Sequence, residues 1–140
     1  MTRFKVVAPL FLGFSLASNA FAGTWDSGTS RGFDFHSIGT ESEGLKIVCD
    51  SDVERNGSFL ELIIPSQLLS ESGKYRVVFG LHSFEVQRSP TLILFAKKLS
   101  AQEKYDLSLA YASSPTVRVF DSDTMVLEIE LGTDRPALCL

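Results

Sequence analysis

Val126-Leu127-Glu128-Ile129-Glu130-Leu131 alternates apolar and acidic side chains more cleanly than any other stretch of the chain. Successive side chains of a strand point to opposite faces, so the segment reads as a strand with one buried face. Leu127, Ile129 and Leu131 fall on that face, and Glu128, Glu130 and Val126 fall on the other. Just before it, Val117, Val119 and Phe120 form a second run, separated from the first by Asp121-Ser122-Asp123. Asp and Ser favour turns because their side chains bond nearby backbone amides.

Further upstream the same signals recur. Phe33, Phe35 and Ser37 alternate with Asp34, His36 and Ile38, which puts His36 on the polar phase. Leu45–Cys49 and Phe59–Ile64 are short apolar runs, separated by a polar loop that contains the hairpin signal Asn56-Gly57. Pro65 ends the second run, since proline donates nothing to a ladder. Tyr75–Phe79, Ser83–Val86 and Thr91–Phe95 complete the series. About eight short strands punctuated by turn residues predict a mainly β fold, an antiparallel β-sandwich or a partly open barrel.

One segment departs from period two. Ser100-Ala101-Gln102-Glu103 is a capping box, and Tyr105, Leu109 and Ala112 follow at helical spacing before Ser113-Ser114-Pro115. This predicts a single short helix over Ala101–Ala112, covering one end or an edge of the sheet assembly.

The N-terminus reads as a secretory signal. Arg3 and Lys5 precede the apolar run Val6–Leu16, and Ala20-Phe21-Ala22 presents small residues at a cleavage site. The run is too short to span a bilayer, which takes about 20 residues. Residues 1–22 are therefore expected to be removed, leaving one β-rich domain over 23–140. Their loss takes two of the 13 basic residues and none of the 17 acidic ones, so the remaining net charge is −6. That balance argues against a nucleic-acid ligand, which needs clustered Lys and Arg, and no later run approaches membrane-spanning length, so no stable membrane insertion is expected after cleavage.

Export also shapes the reading of the two cysteines. An oxidising compartment favours pairing, and a Cys49–Cys139 bridge would enclose most of the domain. Two cysteines without a ligand cluster make a poor metal site. The sequence holds no phosphate-cradling glycine loop, no Gly-x-Ser-x-Gly elbow and no His-Glu-x-x-His helix, so no cofactor is expected. Asp50-Ser51-Asp52 and Asp121-Ser122-Asp123 offer carboxylates in pairs but read as acidic turns, and no metal site is expected. His36 and His82 are the chain's two histidines and the sole candidates for proton transfer.

Trp25 is the single tryptophan, close to the start of the expected mature chain. It either pins the N-terminus to the core or stands exposed as an interface anchor. With Asp50, Asp52, Asn56 and Gly57 of the first polar loop it makes the candidate interface.

Gly23-Thr24-Trp25 after a signal peptide, a Leu45-x-Ile47-x-Cys49 strand and the ending Ala137-Leu138-Cys139 together resemble a group of small exported proteobacterial proteins. Their layout is similar to the invasion-associated locus B family. The resemblance implies a β-rich envelope or periplasmic protein with one disulfide, linked to host interaction or envelope upkeep, and no catalytic residues to carry over. The expectation is a periplasmic or secreted, non-enzymatic protein that recognises a protein partner through its surface. The alternatives are an inhibitor of an extracellular or periplasmic enzyme, inserting the Asp50–Gly57 loop, and a small hydrolase using His36 or His82.

Overall fold

Five tight reversals organise the chain into hairpins. Arg31 and Gly32, both at positive φ, join β2 (Asp26–Ser30) to β3 (Phe33–Gly39) in a two-residue turn. Paired left-handed residues match the twist of the strands they connect. A four-residue turn closed by the Thr40 amide on the Glu43 carbonyl leads into β4 (Gly44–Asp50), which pairs with β5 (Phe59–Ile63). Gly80-Leu81 joins β6 (Lys74–Phe79) to β7 (His82–Ser89), and β8 (Thr91–Phe95) follows at once. Ser122-Asp123 joins β9 (Thr116–Asp121) to β10 (Thr124–Glu130). The computed structural model describes residues 21–68, 73–89 and 91–140. Of the expected signal peptide, residues 1–20 lie outside the described residues. Phe21–Ala22 forms a two-residue β1, parallel to Ile129–Glu130 of β10.

The ladder runs β1-β10-β9-β6-β7-β8-β5-β4-β3-β2. β7 changes sheets along its length: residues up to Gln87 pair with β6, and Arg88 and Ser89 pair with β8. The result is two antiparallel layers joined at β7, a β-sandwich with no closed barrel. The two ends of the ladder, β1 and β2, are separated by three residues of chain. Four peptide steps reach at most about 14 Å, whereas ten strands laid flat would span about 43 Å, so the ladder has to curl back on itself.

The core lies between the layers. Ile38, Leu45, Ile47, Leu60 and Leu62 come from one sheet, and Tyr75, Val77, Phe79, Val117, Val119 and Ile129 from the other. α1 (Ala101–Ser113) adds Leu107, Ala110 and Tyr111, and the Tyr111 ring packs edge-on against Phe79. Its capping box forms as the sequence predicts: Ser100 Oγ accepts from the Glu103 amide, and the Glu103 carboxylate accepts from the Ser100 amide. At the other end Arg135 donates to the Tyr111 and Ser114 carbonyls, placing a cation at the negative end of the helix dipole.

The structure settles which face of α1 is buried and corrects one expectation in β10. The buried face of α1 is Leu107, Ala110 and Tyr111, while Tyr105 and Leu109 are 61% and 53% exposed. Apolar residues surround this helix on all sides, so spacing alone does not select a face; the contacts with β6 and the tail do. In β10 the ladder slips between Met125 and Leu127, and the extra residue turns Val126 into the core beside Leu127. Such a bulge breaks strict alternation.

Candidate functional site

The register of the second layer decides which side chains face outward. Ile38 opposes Leu45, and His36 opposes Ile47, so Asp34, His36 and Ile38 share the inner face. Phe33, Phe35 and Ser37 therefore project outward, the reverse of the phase expected from their hydrophobicity. The core-forming partners in β4 decide the matter, because directly opposed residues share a face.

Along one line across the sheet, Gly28 opposes Phe35, Phe35 opposes Val48, Val48 opposes Phe59 and Phe59 opposes Phe95. The whole line lies on the outer face. Val48 is only 6% exposed, yet it does not belong to the main core cluster. It is buried from outside, under its phenylalanine neighbours. Phe59 and Phe95 pack with ring centroids 5.7 Å apart. One row further along the strands, Phe33 extends the patch towards the Asp50 loop.

Cations stand over these rings. Arg55 lies 4.5 Å from the Phe33 centroid and the Lys46 ammonium 5.2 Å from Phe35. Lys97 and Lys98 both approach Phe95, at 5.7 and 5.6 Å. Each such contact at a partly exposed ring contributes about 0.5–1 kcal/mol. On a chain of net charge −4, the outer face of this sheet thus combines half-buried aromatic rings with a cationic fringe.

The candidate interface residues of the first polar loop turn out to organise it. Asp50 accepts both guanidinium contacts of Arg55, at 2.6 and 2.7 Å, and the amides of Asp52 and Gly57. Those bonds hold its carboxyl well below the usual carboxylate range, the Arg55 contact contributing most, and the same pairing raises Arg55. The Asp50 side chain is fully covered. Asp52 accepts from the Glu54 and Arg55 amides. A Cβ on Gly57 would stand 2.6 Å from an Asp50 carboxylate oxygen, so a larger residue there would displace the carboxylate. Asn56 takes the left-handed conformation in an eight-residue connection rather than forming a two-residue turn with Gly57. The loop that results is well tied, presses Arg55 onto Phe33 and leaves Val53 at its tip 88% exposed.

Trp25 packs against the core, and its indole N–H donates to the Leu131 carbonyl at 2.8 Å. It joins the entry of β2 to the exit of β10 and lies apart from the aromatic row. Cys49 and Cys139 form the disulfide, with Cα atoms 5.7 Å apart. The bridge fits an oxidising compartment. No helix among the described residues is long and apolar enough to cross a membrane.

His36 Nδ1 and Ser27 Oγ are 2.6 Å apart beside an open depression of about 300 Å³ along β2 and β3. The nearest carboxylate on that face, Asp34, accepts from the Thr29 hydroxyl instead. A serine–imidazole contact is present, then, with no acid shown behind the ring. His82 stands at the β6–β7 turn, on the other layer. Among the described residues, no three His, Cys, Asp or Glu side chains gather as metal ligands would. A second depression, about 550 Å³, separates α1 from the C-terminal tail, but Tyr111 and Arg135 there are already bonded to backbone carbonyls.

The aromatic row escaped sequence analysis because it draws on strands up to 60 residues apart; a surplus of phenylalanine on polar-flanked strands was its one local trace. No protein-family model, curated protein or solved structure matches this chain.

Proposed function

We propose that the chain is an exported, non-enzymatic interaction protein of the bacterial envelope that recognises a protein partner through the outer face of its second sheet. The observation that carries this reading is the row Phe35–Val48–Phe59–Phe95 with Phe33 beside it, fringed by Lys46, Arg55, Lys97 and Lys98. Contiguous apolar surface rimmed by polar groups is the usual mark of an interaction site, and Phe and Arg are enriched in such sites. Arg55 is already paired with Asp50, so it is the lysines that favour a partner whose contact surface is acidic. The test is crosslinking in intact cells that express the tagged full-length chain, followed by mass spectrometry. One reproducible partner should be captured, and lost with Phe35→Ser or Phe59→Ser. A captured set that these changes leave intact counts against the reading.

A second reading, an enzyme inhibitor, draws on the tied loop that carries Val53 at its tip. A loop held by Asp50 and Asp52 loses little entropy on entering a cleft, which favours tight inhibition. It calls for inhibition of an extracellular or periplasmic enzyme that Val53→Asp abolishes; a panel of such enzymes left fully active sets it aside.

A further inference from the structure

β2 ends the ladder, and among the described residues it pairs with β3 alone. Natural edge strands are normally blunted by proline, lysine, a bulge or brevity. The opposite end of the ladder obeys this, since β1 has two residues. β2 does not: Asp26-Ser27-Gly28-Thr29-Ser30 is regular over its full length, with no bulge, lysine or proline. Its residues are exposed apart from half-buried Gly28.

The turn fixes which backbone groups point outward. Ser30 and Phe33 flank a two-residue turn, so they exchange both ladder hydrogen bonds, as do Gly28 with Phe35 and Asp26 with Ser37. Ser27 and Thr29 are the alternate, closer pairs, and each duly bonds its opposite side chain, His36 and Asp34. The N–H and C=O groups of Ser27 and Thr29 therefore face the open edge.

We infer that β2 pairs antiparallel with β2 of a second copy of this chain, about a twofold axis at Gly28. In that register Ser27 of each copy opposes Thr29 of the other, so the outward groups of both residues meet their complements. Gly28 opposes Gly28 as the close pair, about 4.5 Å between Cα atoms, where the lack of a side chain suits the approach. Asp26 of each copy comes beside Arg31 of the other, at both ends of the pairing. Neither Asp26 nor Arg31 makes an ion pair with another described residue. The sequence of the strand is thus self-complementary in hydrogen bonds, shape and charge, as an isologous contact requires.

The pairing extends the reading above without depending on it. Each Phe35 ring overlies its own Gly28, so the twofold brings the two rings side by side. The aromatic rows of the copies then merge into one, from Phe95 of the first to Phe95 of the second across ten strands. A single strand pair buries less than the roughly 1,200 Å² of a stable complex, so the association is weak and concentration-dependent.

Sedimentation of the purified, oxidised protein from about 10 µM to about 1 mM tests the pairing with no partner present. The expected result is a monomer–dimer equilibrium that Thr29→Pro abolishes, because proline removes an outward N–H and no backbone bond to β3, the hydroxyl bond to Asp34 being the one contact with β3 that is lost. Asp26→Arg should weaken it about tenfold by reversing two contacts per dimer, and Asp26→Arg with Arg31→Asp should restore it. Should Thr29→Pro fail to fold, the charge swap alone decides. A monomer at every concentration, or a dimer indifferent to the swap, overturns the inference.

Discussion

The Phe35 ring occupies the place that a side chain on Gly28 would take: a Cβ built there stands 2.5 Å from the ring's Cζ. The two residues oppose each other across the first hairpin, and the missing side chain of one seats the ring of the other. Lys46 lies on the same ring, so the glycine helps to fix a cation as well as an aromatic.

Gly28→Ala should therefore dislodge Phe35. The ring is half-buried and free to swing outward, which puts the cost at the low end of overpacking, about 1 kcal/mol. In a thermodynamic cycle with Phe35→Ala, measured by urea unfolding, the two changes should be clearly less than additive. Additive costs would mean that the ring and the glycine do not share the site.

Asp50 should govern the order of its loop. Asp50→Ala should speed amide exchange at Gly57 and Asp52 and open residues 51–57 to proteolysis, whereas Asp52→Ala should affect Glu54 and Arg55. Because its folded carboxyl titrates below the ordinary value, its contribution is present above that value, about pH 4, and is lost as pH falls further. Hydrogen exchange followed by mass spectrometry between pH 5 and pH 2 would show the loop loosening on acidification. An equally protected loop in Asp50→Ala would contradict the assignment.

Tyr111 predicts an alkaline limit. Burial pushes its hydroxyl up to about 12, with Arg135 opposing the shift. The unfolded chain releases this proton near pH 10 and the folded one later, so stability falls as pH rises from about 10 towards 12. Tyr111→Phe should flatten that part of the profile. It should also lower stability at pH 7 by about 1–2 kcal/mol, because the Pro136 carbonyl loses its donor. Melting temperatures of the two proteins between pH 8 and pH 12 would check both effects.

Replacing Cys49 and Cys139 together with serine should cost up to about 4–5 kcal/mol, the chain-entropy figure for a loop of this size. Arg135, bonded to the Tyr111 and Ser114 carbonyls, and the Tyr111 hydroxyl hold the tail independently, so residues near Pro136 should stay protected from exchange while those near Cys139 lose protection. Loss of protection along the whole tail would show that the disulfide alone retains it.

Local chemistry made much of this fold legible. The Ser100–Glu103 box marks the start of the helix because capping is a matter of four adjacent residues, and Thr91–Phe95 reads as a strand from its own composition. β2 did not show, because an edge strand with neither face in the core needs no apolar residues, and Asp26–Ser30 has none. The outward turn of Phe33 and Phe35 was hidden for a different reason. Two rings and two polar residues alternate equally well in either phase, and only Leu45 and Ile47 of the neighbouring strand choose between them. The candidate site was therefore unreadable except in its loop, where Asp50, Asp52, Asn56 and Gly57 announced a turn and the structure made it one.

The disulfide also divides the molecule mechanically. Cys49 and Cys139 close a covalent ring that contains β5 to β10 and α1, while β1, β2, β3 and most of β4 lie outside it. A force applied between Gly23 and Leu140 would travel directly from one sulfur to the other. Only the segment before Cys49 could unravel under that load, and the strands within the ring would bear none of it until the bridge was reduced.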